Sequence, residues 1–173
     1  MTKAEEIALS NDLKKLKTLF NPQYATIYVL PKKTGCSYCL KVVMKVPTYV
    51  SRRAQSGPIF KNGIEFFIDI FNDYPKTKPR VYYGDEEWLY HVNVFNSEGH
   101  SQCTDEWNKD SDLYQIIEKT ARAIVFDDNQ KFNSMASSIP EKWQKDMKAK
   151  GKLPTMNAAL LFARNVKRTP KVV

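Results

Sequence analysis

The first hydrophobic pattern along the chain is helical. Ile7, Leu9 and Leu13 recur near helical spacing with Lys and Glu between them, which predicts an amphipathic helix over residues 3–20. Asn21-Pro22 then ends this helix, because the residue before a proline is disfavoured in helical backbone.

The pattern next changes to that of strands. Residues 24–30 and 36–50 are rich in β-branched and aromatic side chains, and they predict neighbouring antiparallel strands joined by a turn at residues 31–35. Residues 64–71 predict a third strand, and residues 81–83 a short fourth one.

Two segments between and after these strands are polar. Residues 51–57, which include Arg52-Arg53, are expected to form a loop. Residues 88–107 show little periodicity, so they predict a long loop, and loops of this length in a compact domain are commonly functional.

Helical spacing returns in the last third. Ser111 or Asp112 is expected to cap a helix that runs from residue 113 to 125. Pro140 is expected to open a helix at about residues 141–148, which Gly151 and Pro154 break. A last helix is predicted from Thr155 to about Val166.

The order of these elements predicts an α+β domain: an N-terminal helix, a four-stranded antiparallel meander, an active-site loop and C-terminal helices. The length of 173 residues and the hydrophobic share of 42% suit one core. We expect a domain at residues 1–150, followed by a basic helix and tail at residues 151–173. No stretch is apolar enough for a membrane span or signal peptide, which predicts a cytoplasmic protein that does not bind membranes.

The net charge of +8 is concentrated at the C-terminal end. Residues 141–173 hold nine basic and two acidic residues, a net charge of +7. Such a segment could attract nucleic acid or an acidic surface. However, Trp143 and Phe162 are the only aromatic residues among these charges, too few to form a row of stacking platforms for bases, so a solvated tail is the preferred interpretation.

An ordered run of motifs indicates the chemistry. The sequence FFIDI at residues 66–70 is followed by Asp73-Tyr74-Pro75 with Pro79, then by Tyr90-His91-Val92-Asn93, and then by Cys103. A strand, a proline turn, an Asn on a loop and a thiol ten residues later suit acyl transfer through a thioester.

This order, over about residues 10–150, resembles the ubiquitin-conjugating enzymes, which have a strand of the type FFLDI, a YPxxPP turn, an HPN motif and then the catalytic cysteine. The resemblance implies a UBC-like fold and a cysteine that carries a ubiquitin-like protein until an amine of a substrate attacks. Val92 in place of the motif's proline, and Thr104 in place of the usual leucine, indicate a divergent, prokaryotic or viral, member. No cofactor is expected.

The resemblance assigns roles to three residues. Cys103 is the expected nucleophile, and the side-chain amide of Asn93 is expected to stabilise the oxyanion that amine attack creates. His91 matches the first motif position, where it either packs the loop or acts as a general base. His100 could form a Cys-His pair with Cys103. Asp127 and Asp128 are candidates for the acidic residue that positions the attacking lysine.

Partner surfaces are predicted from the same resemblance. Lys14, Lys15 and Lys17 match the basic helix with which the family docks its activating enzyme. Lys76 follows Pro75 where the family has an apolar residue that contacts ring-type ligases, so weak or absent binding to such ligases is expected.

Cys36 and Cys39 raise a metal hypothesis, because CxxC supplies two thiolates. Alternation within a strand would send the two side chains to opposite faces, which argues against a zinc site and against a redox pair. We therefore expect no metal.

Two other classes of function remain open. A catalytically silent domain of the same fold would bind a ubiquitin-like protein without forming a thioester. A nucleic-acid-binding protein is the other alternative, although the basic tail is the only feature that supports it.

Overall fold

The computed structural model describes residues 2–95, 99–104, 107–108, 111–127, 136, 138–154 and 156–163. This part of the chain confirms the predicted α+β class with an antiparallel meander. The helices are α1 (Lys3–Leu16), α2 (Leu113–Ile124) and α3 (Ser138–Ala149). The strands are β1 (Ala25–Leu30), β2 (Cys36–Arg52), β3 (Gln55–Phe71), β4 (Arg80–Tyr82) and β5 (Glu87–Leu89).

The sheet has the order β1-β2-β3-β4, so each of these strands pairs with its neighbour in sequence. The fifth strand was not predicted. β5 lies in the stretch expected to be loop and pairs with the far end of β2, where Val50 faces Leu89 and Arg52 faces Glu87. Arg52 Nε lies 2.8 Å from a Glu87 carboxylate oxygen, and this ion pair favours the strand although acidic residues directly precede it.

The hairpin of β2 and β3 also differs from expectation. The predicted loop at residues 51–57 is absent, since β2 continues to Arg52 and β3 begins at Gln55, with Arg52 paired to Gln55. The turn therefore contains only Arg53 and Ala54. The residues at the start of β3 are polar and largely exposed, which is why the sequence predicted a loop there. Their backbone nevertheless pairs with β2.

The core lies on one face of this sheet. Leu40 pairs with Ile68 and Val42 with Phe66, and all four side chains are buried. They belong to one hydrophobic cluster with Ile117 and the other buried residues of α2. The helix begins where predicted, because Asp112 accepts a hydrogen bond from the Gln115 amide at 2.8 Å.

The N-terminal helix is fixed to the proline turn. Thr2 and Glu5 form a capping box at its start, and Lys76 Nζ lies 2.8 Å from the Glu5 carboxylate. The buried Tyr74 hydroxyl donates to the buried Asp12 carboxylate. α1 ends at Leu16, four residues before the predicted end.

The last described segment contains less helix than predicted. A 3-10 helix spans Ala158–Leu161 with Asn157 as its cap, where a helix from Thr155 to Val166 was expected. Thr155 and residues 164–173 lie outside the described part. The Asn21 amide donates to the Leu161 carbonyl at 2.9 Å, and Phe162 stacks on Phe20, so residues 161–163 join the segment after residue 150 to the end of α1.

Candidate active site

Asn93 and Cys103 lie opposite each other in a short antiparallel ladder. The Cys103 amide donates to the Asn93 carbonyl at 2.7 Å, Val94 bridges Gln102, and the Phe95 amide donates to the Ser101 carbonyl at 3.0 Å. Residues opposite each other in such a pair are typically about 5 Å apart between Cα atoms. The fold therefore brings together two residues that are ten positions apart in sequence.

Strand β4 holds this ladder against the sheet. The Gln102 amide donates to the Val81 carbonyl at 2.9 Å, and the Tyr83 hydroxyl donates to Gln102 Oε1 at 2.9 Å. Gly99 adopts a φ of +74°, and a Cβ there would lie 2.6 Å from the Arg80 guanidinium. These contacts were not anticipated from the sequence, although the isolated Gly99 in a polar loop was a signal for unusual backbone.

Alternation along the second half of the ladder decides which side chains face inward. Gln102 and Thr104 are 6% and 3% exposed, whereas Cys103 between them is only partly buried. Gln102 and Thr104 are therefore buried, although polar residues in a loop are usually exposed. Cys103 is the most accessible of the three cysteines, since Cys36 and Cys39 are buried.

Asn93 and His91 form the base of the loop. The Asn93 amide donates to His91 Nδ1 at 3.2 Å, and Asn93 is 1% exposed. The His91 ring is buried and lies against Phe126, with ring centroids 5.4 Å apart. Burial lowers the pKa of His91 to about 4 from its ordinary 6.5, so the imidazole is neutral at physiological pH. These contacts agree with a loop-packing role for His91.

The His100 ring contacts Trp88 and Phe95. Its ring stacks on Trp88 with centroids 3.6 Å apart, and its Nδ1 lies 3.3 Å from the Phe95 carbonyl oxygen. Burial lowers its pKa despite that carbonyl. The proposed Cys-His pair is therefore not supported by the position of the ring.

Only one of the two acidic candidates after α2 lies among the described residues. Asp127 accepts from Arg122 Nη1 at 2.6 Å, and the same guanidinium binds Glu118 at 2.8 Å. Asp127 thus belongs to an ion-pair network at the end of α2. Asp128 lies outside the described residues.

The proline turn and Trp107 meet in space. Trp107 Nε1 donates to the Pro75 carbonyl at 2.7 Å, and the Tyr74 and Trp107 ring centroids are 5.9 Å apart. The bond between Tyr74 and Pro75 is cis. The proline turn and Trp107 therefore form one packed unit, although 32 positions separate Pro75 from Trp107.

The three lysines of α1 do not have equal surroundings. All are exposed, but Lys15 lies 3.6 Å from the Asp12 carboxylate, whereas Lys14 and Lys17 border a groove of about 810 Å³ between α1 and β1. Leu13, Phe20 and the other apolar side chains on its wall make this groove partly hydrophobic.

The two cysteines of the CxxC motif, Cys36 and Cys39, lie on the same face of β2. The reason is that the ladder with β3 is shifted by one residue between Cys36 and Tyr38. Together with Asp69 they form a cluster whose ligand atoms are all within 4.8 Å of one another. The prediction that alternation separates Cys36 from Cys39 is wrong.

Comparison with known proteins leaves the family open. No protein-family model matches the chain, and no curated protein matches it. The resemblance to ubiquitin-conjugating enzymes thus rests on the motifs quoted above. In the described part of the chain, the helices are too short or too polar to cross a membrane.

Proposed function

We propose that this protein is a conjugating enzyme for a ubiquitin-like protein, with a UBC-like fold and Cys103 as the thioester carrier. The observation that carries the proposal is the pairing of Asn93 with Cys103 across the loop. It sets a partly exposed thiol beside a residue with a side-chain amide, and this combination suits acyl transfer to an amine.

The proposed reaction has two steps at one sulfur. The Cys103 thiolate attacks the thioester of the activating enzyme, so that a new bond forms between sulfur and the modifier's C-terminal carbonyl carbon, and the activating enzyme's thiolate leaves. A lysine amine of the substrate then attacks the same carbon. The Cys103 thiolate leaves, the amine loses a proton to solvent, and an isopeptide bond remains. No cofactor takes part.

Asn93 and His91 have different roles in this proposal. The Asn93 side-chain amide donates to the oxyanion during amine attack, and one such donor is typically worth about 3 kcal/mol. His91 is a positioning residue, because its neutral Nδ1 holds the Asn93 backbone amide. A ring that is buried and neutral at pH 7 is poorly suited to exchange protons with a substrate amine.

Docking of the activating enzyme is assigned to α1. Lys14 and Lys17 are exposed beside the groove, and an acidic partner surface with apolar side chains would complement both features. Lys15 is partly neutralised by Asp12 and is expected to contribute less. A ring-type ligase would meet Lys76 rather than an apolar anchor, and this lysine already pairs with Glu5. We place the reaction in the cytoplasm, where thiols stay reduced.

A charging assay tests the proposal. The protein is incubated with ATP, the ubiquitin-like protein and the activating enzyme of its source organism, and the products are separated on a non-reducing gel. We expect an adduct that thiol reductant removes. Cys103→Ala should abolish it, and Cys103→Ser should convert it to an ester that resists reductant.

Arg53→Ala is the control, because it changes an exposed side chain in the turn between β2 and β3 and should leave the adduct unchanged. If the modifier binds but no adduct forms with a competent activating enzyme, the proposal is overturned in favour of the silent binding module. An adduct that survives Cys103→Ala would also overturn it.

A further inference from the structure

Cys36, Cys39 and Asp69 gather on the outer face of the sheet. Cys39 pairs with Asp69 directly, whereas Cys36 pairs with Phe71 and Tyr38 with Ile70, so that Ser37 is an extra residue. This bulge returns Cys36 to the face that Cys39 and Asp69 share. All three side chains are buried, with exposures of 8%, 1% and 6%.

The donor set and spacing suit a thiophilic metal ion. Each residue offers one ligand atom, and these atoms lie within 4.8 Å of one another. Zinc bonds of about 2.3 Å to sulfur and 2.1 Å to oxygen in a tetrahedron imply donors about 3.6 to 3.8 Å apart. Small side-chain rotations within the cluster can therefore close it around one ion.

The charge around the cluster also fits a divalent cation. Lys33 Nζ lies 3.1 and 3.3 Å from the two Asp69 oxygens. A zinc ion with two thiolates and one carboxylate carries a charge of about −1, and the Lys33 ammonium would bring the total to zero. The carboxylate has two oxygens, so it can bind the ion with one and Lys33 with the other.

Tetrahedral zinc needs a fourth ligand beside these three, and metal binding would release the protons of both thiols to solvent. The Tyr82 hydroxyl lies 3.3 Å from Asp69 Oδ1, so it or a water molecule can complete the coordination.

We propose that Cys36, Cys39 and Asp69 form a binding site for one zinc ion. The ion would connect the start of β2 to the end of β3, four residues before the proline turn begins. Its role is structural and independent of the chemistry at Cys103, so this site could exist even if the conjugation proposal failed.

Cobalt titration tests the site directly. The full-length protein is reduced, freed of metal and titrated with Co²⁺, which gives a thiolate charge-transfer band in the near ultraviolet when sulfur binds it. We expect one Co²⁺ per chain, displaced by Zn²⁺. The double variant Cys36→Ser/Cys39→Ser should abolish the band, and either single variant should weaken it. Cys103→Ser, which keeps both proposed thiolates, should retain it.

The carboxylate is tested with Asp69→Asn. Loss of an outer-shell partner typically weakens metal binding by roughly 10- to 100-fold, so loss of a ligand should weaken it at least as much. Native mass spectrometry with Zn²⁺ provides a second readout, and circular dichroism of the metal-free variants confirms that each is folded.

Three results would overturn the proposal. The first is a folded wild-type protein that gives no thiolate band. The second is a band that depends on Cys103 rather than on Cys36 and Cys39. The third is unchanged Co²⁺ affinity in Asp69→Asn, which would remove the carboxylate from the site.

Discussion

Acid titration of His91 gives a quantitative test of how the loop is held. Burial lowers its pKa to about 4 in the folded protein, whereas an imidazole in the unfolded chain titrates near 6.5. Between these values the unfolded state binds a proton that the folded state does not. The stability due to neutral His91 is thus fully present above pH 6.5 and is lost as the pH falls towards 4.

The magnitude follows from the two pKa values. They differ by about 2.5 units, which at about 1.36 kcal/mol per unit gives a full effect of about 3 kcal/mol. About 2.5 kcal/mol of this should already be lost at pH 4.5. Such a loss is a large fraction of the roughly 5 to 15 kcal/mol that holds a domain folded.

His91→Asn is the matched variant, because its side-chain oxygen can accept the Asn93 amide as Nδ1 does but does not titrate. Urea unfolding of both proteins at about pH 7.5 and 4.5 measures the free energy of unfolding. We expect the wild type to lose about 2.5 kcal/mol more than the variant over this interval. Other titrating groups, including His100 and Glu5, are common to both proteins and cancel.

Equal losses in the two proteins would refute the reasoning. They would mean that the ring is hydrated or protonated in the folded state, which would reopen a general-base role for His91. An activity profile between about pH 6 and 8 provides an independent check, because a ring with a pKa near 4 should leave no inflection there.

Three further predictions concern single side chains. Asn93→Ala should slow discharge of the Cys103 thioester to free lysine by roughly 10²- to 10³-fold while charging persists, and equal loss of both steps would contradict an oxyanion role. Tyr74→Phe leaves the buried Asp12 carboxylate without its hydroxyl donor and should lower the free energy of unfolding by about 1 to 3 kcal/mol in urea titration, whereas no change would contradict the bond. Thr48→Val removes a buried 2.6 Å hydrogen bond to the carbonyl at the end of α2, and thermal unfolding should show a free energy of unfolding lower by about 1 to 3 kcal/mol. The control Thr18→Val changes an exposed threonine and should lower that free energy by less than about 0.5 kcal/mol.

Elements with their own local signals were predictable from the sequence. The helix α2 has apolar residues at helical spacing and a capping Asp112, and its start and end were found within one residue. The strand β2 was found for a similar reason, since every second side chain from Leu40 to Val50 is buried. In both cases the pattern along the chain and the burial in the fold agree.

Elements that depend on distant partners were missed. β5 is held by its pairing with residues 50–52 and by the ion pairs of Glu87, and the sequence around it resembles a loop. The extension of β3 to Gln55 depends on the long partner strand in the same way. Local propensity cannot reveal such strands, because their backbone groups are satisfied across the sheet.

The candidate site contains features that the sequence predicted and features that depend on distant partners. The motif order placed Asn93 and Cys103 in one loop, but only the ladder shows that they face each other. For Cys36 and Cys39 the regular alternation of a strand gave the wrong answer, because a single bulge at Ser37 reverses the faces. A bulge of this kind depends on the register with β3 and leaves no clear mark in β2 alone.

The ion pair of Lys76 with Glu5 has a consequence for the evolution of this chain. Glu5 is almost buried, and both the Thr2 amide and Lys76 satisfy its carboxylate. A change of Lys76 to an apolar residue would leave one carboxylate oxygen without its cation, while Glu5 would still be needed for the helix cap. Positions 5 and 76 are therefore expected to covary among relatives, so that an apolar residue at position 76 arises together with Gln at position 5, which keeps the helix cap without the charge.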